Sequence, residues 1–152
     1  MRNPDFSIVV QMLIWRPIPE VFGAFIDPAI AANFWFSKSS GKLEAGKTLT
    51  WEWEAHNSSA LIHVEEITEN KLIKFDWGDP IPKVEISFTS YGDNATLVVI
   101  KNYHAGLTVG KLTHDIIDST SNFTSVLAGL KAYLEYNIKL NLVEDKFPHH
   151  HT

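Results

Sequence analysis

The chain is predicted to be an α+β protein in which a curved antiparallel sheet grips one long C-terminal helix. Three observations predict it. Between about Thr48 and Tyr103 hydrophobicity alternates with a period of two, as in half-buried strands. The segments so marked are joined by clusters of turn-forming residues, too short for a parallel crossover, which takes a dozen residues or more. Beyond them the period changes to three and four, the spacing of a single helix face.

The first strand runs over Phe6 to Trp15, with Phe6, Ile8, Val10, Met12 and Ile14 on one parity and Ser7 and Gln11 on the other. Pro17 and Pro19 end it. Glu20 to Phe25 reads as a short helix with Pro19 in its first turn, where the missing N–H costs little. Asp27-Pro28 starts a second short helix, because Asp accepts from orphan N–H groups and Pro presets φ, and the run Ala29–Phe34 supplies helix formers. Gly41 and Gly46 bracket a polar loop.

Five strands follow, over Thr48–Ala55, Ala60–Ile67, Leu72–Trp77, Val84–Thr89 and Ala95–Tyr103. The turns are His56-Asn57-Ser58-Ser59, Thr68-Glu69-Asn70-Lys71, Gly78-Asp79-Pro80 and Tyr91-Gly92-Asp93-Asn94. With the first strand this makes a six-stranded sheet. In the last segment Phe123, Leu127, Leu130, Leu134 and Ile138 form the apolar stripe, widened by Val126 and Tyr133. Ser125, Lys131 and Glu135 mark the expected wet side, and Ser119 or Ser121 the expected cap. About 20 residues rising 1.5 Å each give a helix of roughly 30 Å, enough to cross the sheet.

The 152 residues fit one domain, with a core over about residues 6–141 and a tail at 142–152. There is no cysteine, which excludes disulfides, thiolate metal sites and cysteine nucleophiles and suits a cytoplasmic location. The net charge is −5 and no basic block stands out, so no nucleic-acid partner is expected. No apolar run approaches the roughly 18 residues that span a bilayer, and no secretory signal precedes the first strand, so no membrane partner is expected either. Five tryptophans and nine phenylalanines are many for this length and must be buried in a core, a pocket or an interface.

Several local patterns occur in a telling order. They are Arg16-Pro17-Ile18-Pro19-Glu20-Val21-Phe22, Asp27-Pro28 leading to Phe34-Trp35-Phe36, Trp51-Glu52-Trp53, and Val64-Glu65-Glu66-Ile67 before Asn70–Trp77. Ala95-Thr96-Leu97 and Leu127-Ala128-Gly129-Leu130-Lys131-Ala132-Tyr133-Leu134-Glu135 complete the set. Together, over roughly residues 6–138, they resemble the START-like (Bet v 1-like, SRPBCC) superfamily, and within it the family related to the C-terminal domain of the Hsp90 ATPase activator. One departure is Asn122-Phe123, where such proteins often carry Gly-Trp. Phenylalanine keeps the apolar anchor and loses the indole N–H. The resemblance implies the helix-grip fold, with a cavity between sheet and helix that relatives use for hydrophobic small molecules, some of them for cyclisation or dehydration.

Strand parity gives an independent reading of the site. Trp51, Trp53, Phe75, Trp77 and Phe88 face inward, and Glu52, Glu54, Lys74, Asp76, Lys83, Glu85 and His63 face outward. On the last strand Lys101 faces water, which puts Val98, Ile100, Asn102 and His104 on the inner face. Asn102 and His104 are therefore the candidate polar groups of an otherwise apolar site. His104 either hydrogen-bonds at the strand end, touches a ligand, or serves as a general acid or base, a role that normally needs a partner to fix its tautomer. The inward aromatics either fill the core or line a cavity. Trp35 and Phe36, between the second short helix and the loop, either gate that cavity or fasten the helix. Phe123 and Leu127 form the helix wall.

The expectation is thus a binding module for a hydrophobic or aromatic small molecule, contacted by Trp35, Phe36, Trp51, Trp53, Phe75, Trp77, Phe88, Asn102, His104, Phe123 and Leu127. The alternatives are a cyclase- or dehydratase-type enzyme using His104, or a chaperone-interacting module. The chain has no room for the activator's other domain, so Hsp90 is not expected as a partner, and a homodimer stays open. No glycine-rich phosphate loop, HExxH or nucleophile elbow occurs, and no cofactor or metal is expected. The triplet His149-His150-His151 reads as tail.

Overall fold

The structure is a computed structural model that describes residues 6–77, 83–104 and 109–145. Its elements are β1 (Phe6–Ile14), α1 (Ile18–Ile26), α2 (Pro28–Ala31), β2 (Lys38–Ser39), β3 (Thr48–Trp53), β4 (Ser58–Thr68), β5 (Leu72–Trp77), β6 (Lys83–Ser90), β7 (Thr96–His104), α3 (Val109–Tyr136) and α4 (Leu142–Asp145). The strands form one antiparallel sheet in the order β1-β7-β6-β5-β4-β3-β2. The helix-grip architecture expected from the sequence is present, with seven strands rather than six. The extra strand, β2, is two residues long and pairs with β3; so short a segment has no period to read.

The inner face is ordered in rows across the sheet. Val64, Phe75, Val84, Asn102 and Ile8 are cross-strand partners in turn, and all are buried. The row beside it is wholly aliphatic: Ile73, Ile86, Ile100 and Val10. α3 packs on β1 and β7, and α1 packs on β6. α3 also comes close to the α2 segment at Gly129, where a Cβ would lie 3.1 Å from Phe34 Cβ. A glycine costs a helix roughly 0.5–1 kcal/mol relative to alanine, and here it permits the close approach.

Asp27 caps α2 as expected, its Oδ1 accepting from the Ala29 N–H at 2.9 Å. α2 is shorter than the expected run and ends at Ala31. β3 also stops early. Glu54–His56 form a 3-10 turn, so Ala55 is not a strand residue, and Asn57 closes the turn with φ 50°. Asparagine tolerates this left-handed backbone because its short polar side chain hydrogen-bonds locally. Leu43, within the loop expected to be polar, is buried in the core. Between β4 and β5 the register shifts at Glu65. That bulge leaves Glu65 and Glu66 both exposed and returns Ile67 to the inner side, against Ile73.

The last helix differs most from expectation. It starts at Val109, ten residues before Ser119, so Ser119 and Ser121 are interior positions and not caps. Tertiary packing overrides the local cap signal, because Ile116 packs against the core and extends the buried stripe by a turn. The helix ends at Tyr136, and Asn137 follows with φ 55°. Ile138 therefore falls outside the helix and is 50% exposed. Residues 142–145, placed in the tail by sequence, form α4, and Val143 packs against the core.

Lys131 and Glu135 are not on a wet side. Glu135 Oε2 accepts from the Trp15 N–H at 3.0 Å and from Lys131 Nζ at 2.7 Å, while Lys131 Nζ also donates to the Leu13 carbonyl at 2.9 Å. Arg16 Nη2 donates to the Glu135 carbonyl at 3.1 Å. β1 is an edge strand, and an edge leaves backbone groups unpaired. This charged latch satisfies them at the strand's end and fastens it to α3. The turn expected at 78–80 and the histidine triplet lie outside the described residues.

Candidate functional site

The aromatic residues come together as parity requires, and they contact one another. Trp35 is the hub: its ring lies 4.7 Å from that of Trp51, 5.9 Å from Phe25, 6.0 Å from Phe75, 6.2 Å from Phe123 and 6.4 Å from Phe36. Trp51 in turn stacks on Phe36 at 4.7 Å and meets Phe75 edge-on at 5.3 Å. The pairs Trp35–Phe25, Trp35–Phe123 and Trp51–Phe75 are T-shaped and Trp51–Phe36 is stacked, arrangements worth about 0.5–1.5 kcal/mol each beyond area burial, while the other three are tilted. Trp53 is half-buried, and its indole N–H donates to the Trp35 carbonyl at 2.9 Å. Phe88 joins through Phe25 at 5.6 Å and Phe22 at 5.3 Å. Trp35, Phe36, Trp51, Phe75, Phe88, Phe123 and Leu127 all belong to the hydrophobic core.

The contribution of the short helices to this cluster was not read from sequence. Phe22, Phe25 and Phe34 belong to it as fully as the strand residues. The available signal was the spacing of three between Phe22 and Phe25, which puts both on one helix face.

Across the sheet, on the β7 side, the interior is different. Among the described residues two polar side chains are buried, Thr96 and Asn102. Thr96 is satisfied, its hydroxyl donating to the Arg16 carbonyl at 2.8 Å. Asn102 is 2% exposed, and its Nδ2 donates to Ser119 Oγ at 3.1 Å. Its Oδ1 has no hydrogen-bond partner among the described residues. Ser119 stands four residues before Phe123 on the buried face of α3. The amide thus bridges sheet and helix, with Ile8 and Val84 as its cross-strand neighbours. The register puts Trp77 opposite Ile62 and His104 opposite Phe6, in the row beyond Asn102; the side chains of Trp77 and His104 lie outside the described residues.

The outer face carries the charges, as parity predicts. Lys74 Nζ lies 3.4 Å from a Glu85 oxygen and 3.9 Å from Glu66, and Lys83 lies 3.3 Å from Glu65. The Tyr103 hydroxyl donates to Glu85 at 3.2 Å. The hydrogen bond and charge of Glu85 hold the Lys74 ammonium above its usual pKa; desolvation first, then Glu85, raise that of the Tyr103 phenol. His63 is exposed as expected, with Nδ1 3.0 Å from the Thr48 hydroxyl. No group of three or more metal-ligating side chains is found among the described residues.

Residues 16–135 match the family described as Activator of Hsp90 ATPase homolog 1-like protein. The chain belongs to that family. The match begins at Arg16 and ends at Glu135, the two residues joined in the latch between β1 and α3. The fold is the START-like, SRPBCC fold that the sequence resembles. Among solved structures the chain is similar to the protein SSP2350 from Staphylococcus saprophyticus, with 29% identity and a TM-score of 0.77 over 89% of this chain and 96% of that one. It is similar in fold to DynU16, a protein in the dynemicin biosynthetic locus, with 18% identity and a TM-score of 0.79 over 90% of this chain and 49% of that one. It is also similar to Aha1 from Colwellia psychrerythraea, solved in solution as a dimer, with 14% identity and a TM-score of 0.67 over 86% of this chain and 97% of that one. No curated protein matches the chain. Among the described residues no helix is long and apolar enough to cross a membrane.

Proposed function

We propose that this family member binds a hydrophobic or aromatic small molecule between the sheet and α3, on the β7 side of the interior. The observation that carries the reading is Asn102: a buried amide, tied to Ser119 across the interior, whose oxygen has no partner among the described residues. Small-molecule sites have this character, apolar walls with few placed polar groups. The packed rings around Trp35 and Trp51 then act as the rigid floor of the site rather than as its open lining. Phe123, one turn from Ser119 and in contact with Trp35, joins the two parts.

An enzyme of the cyclase or dehydratase type would need an acid–base group at this site. His104, two residues beyond Asn102 on β7, is the candidate for it, and loss of turnover of an identified substrate in His104→Ala would favour that reading; the buried amide of Asn102 favours binding. A chaperone contact is suggested by the family's name alone; retention of the protein by immobilised Hsp90 would bring it in.

The test is a titration with a panel of lipids, flavonoids and polyketides, followed by tryptophan emission and by thermal unfolding. A saturable change in emission is expected with at least one class, because Trp35 and Trp51 lie in the floor. A ligand at 100 times its Kd should raise stability by about 2.7 kcal/mol. No response in either measurement across the panel, up to about 1 mM, would sink the reading.

A further inference from the structure

We infer that the ligand presents an uncharged hydrogen-bond donor, a hydroxyl or an N–H, to Asn102 Oδ1. The inference rests on the binding reading above and names the chemistry that the site selects. A carboxamide has two donors on nitrogen and an acceptor oxygen. Here one of the two N–H groups is engaged: Nδ2 donates to Ser119 Oγ at 3.1 Å. The acceptor, by contrast, is wholly unmatched: Oδ1 has no partner among the described residues although the side chain is almost wholly buried. A buried acceptor left unmatched is costly, and a group that donates to it relieves that cost in addition to forming the bond.

The described neighbours also disfavour a charged group. Asn102's partners across the strands are Ile8 and Val84, and the rest of its row is Phe75 and Val64. A carboxylate would set its lone pairs against those of Oδ1. An ammonium could donate, but it would be desolvated with no anion beside it among these residues. A neutral alcohol, phenol or amide N–H escapes both penalties. Its apolar body would then lie against the aliphatic wall of β1, β6 and β7 and the ring of Phe123. A site built to bond a donor discriminates strongly against the analogue that lacks it, because the protein's own group is left unpaired.

The test uses three ring systems of matched size, 1-naphthol, 1-methoxynaphthalene and 1-naphthoate, titrated into the full chain with tryptophan emission as the readout. Wild type is expected to bind 1-naphthol at least about tenfold tighter than either analogue, a difference of about 1.4 kcal/mol. In Asn102→Leu the preference for naphthol over methoxynaphthalene should vanish. In Ser119→Ala, where the N–H now held by Ser119 is released and can donate to a ligand ether, methoxynaphthalene should gain relative to naphthol. Equal binding of naphthol and methoxynaphthalene by wild type would mean that water already satisfies Oδ1, and tightest binding of naphthoate would mean that a cation faces the site. Either result overturns this inference and leaves the binding reading standing. Silence from all three probes, together with silence across the wider panel, overturns both.

Discussion

The two sides of the interior are built from one strand pattern and end in opposite states. On the β3 side every inward ring finds another ring: Trp51 stacks on Phe36, and Trp35 meets Trp51, Phe75 and Phe123. On the β7 side the inward row carries Asn102, which finds a partner for its nitrogen and none, among the described residues, for its oxygen. The contrast teaches where stability and recognition separate. Rings that satisfy one another hold the fold together and leave nothing to offer a ligand. A polar group that stays unsatisfied weakens the fold and is what a ligand can use.

That separation is open to attack at several points. The largest expected effect is on the aromatic side, where Trp51→Ala removes the ring that four others touch. It should cost about 3–5 kcal/mol in urea unfolding. A loss under 1 kcal/mol would show that these rings surround a yielding space. Next comes the latch. Glu135→Ala strips the acceptor shared by Lys131 and the Trp15 N–H, a side chain only 7% exposed. A loss of about 1.5–3 kcal/mol is expected, as for hydrogen bonds to charged groups, with faster amide exchange at the end of β1. Unchanged exchange there would show that packing alone fastens the strand.

On the polar side the expected stability effect is small. Asn102→Leu exchanges an incompletely bonded amide for an apolar group of similar size and leaves the half-buried Ser119 hydroxyl to find another partner, so unfolding should move by no more than about 1–2 kcal/mol. A loss as large as that of Trp51→Ala would erase the distinction between the two sides.

The smallest effect concerns the outer face and pH. Lys74 and Tyr103 both hold their protons more tightly in the folded chain than in the unfolded one, Lys74 chiefly through Glu85 and Tyr103 chiefly through desolvation, then Glu85. A raised folded pKa contributes stability that is complete below the unfolded value and lost as pH rises past it, here above about pH 10. Glu85→Gln should therefore make the loss of thermal stability above that pH shallower and lower the pH at which Tyr103 titrates by NMR. Lys74 is exposed enough for solvent to screen its pairs, so the change should be modest. An unchanged Tyr103 titration would leave desolvation as the sole cause.

Much of this was legible in the chain itself. The alternation over residues 83–89 and 95–103 places Val84, Ile86, Phe88, Val98, Ile100 and Asn102 inside and Lys83 and Lys101 outside, and the structure agrees at each of these positions. A period of two admits two assignments, and the charged residues choose between them. Asp27 was legible as a cap because capping is local, set by one side chain and an N–H two residues on.

The failures were equally physical. Ser119 and Ser121 resemble caps, and whether a serine starts a helix or lies within it depends on what the preceding turn packs against. Lys131 and Glu135 were read as wet because charge predicts exposure, unless distant backbone supplies partners. Those partners, Leu13 and Trp15, stand about 120 residues earlier in the chain. Sequence by itself thus determined the fold class, the face of each strand and the placing of an amide in an apolar row, all of which follow from periodicity and local chemistry. Tertiary structure alone decided that the rings close on one another, that charge latches β1 to α3, and that Ser119 accepts from the Asn102 amide while its oxygen has no partner among the described residues. Those outcomes depend on distances between residues far apart in the chain, which no local pattern encodes.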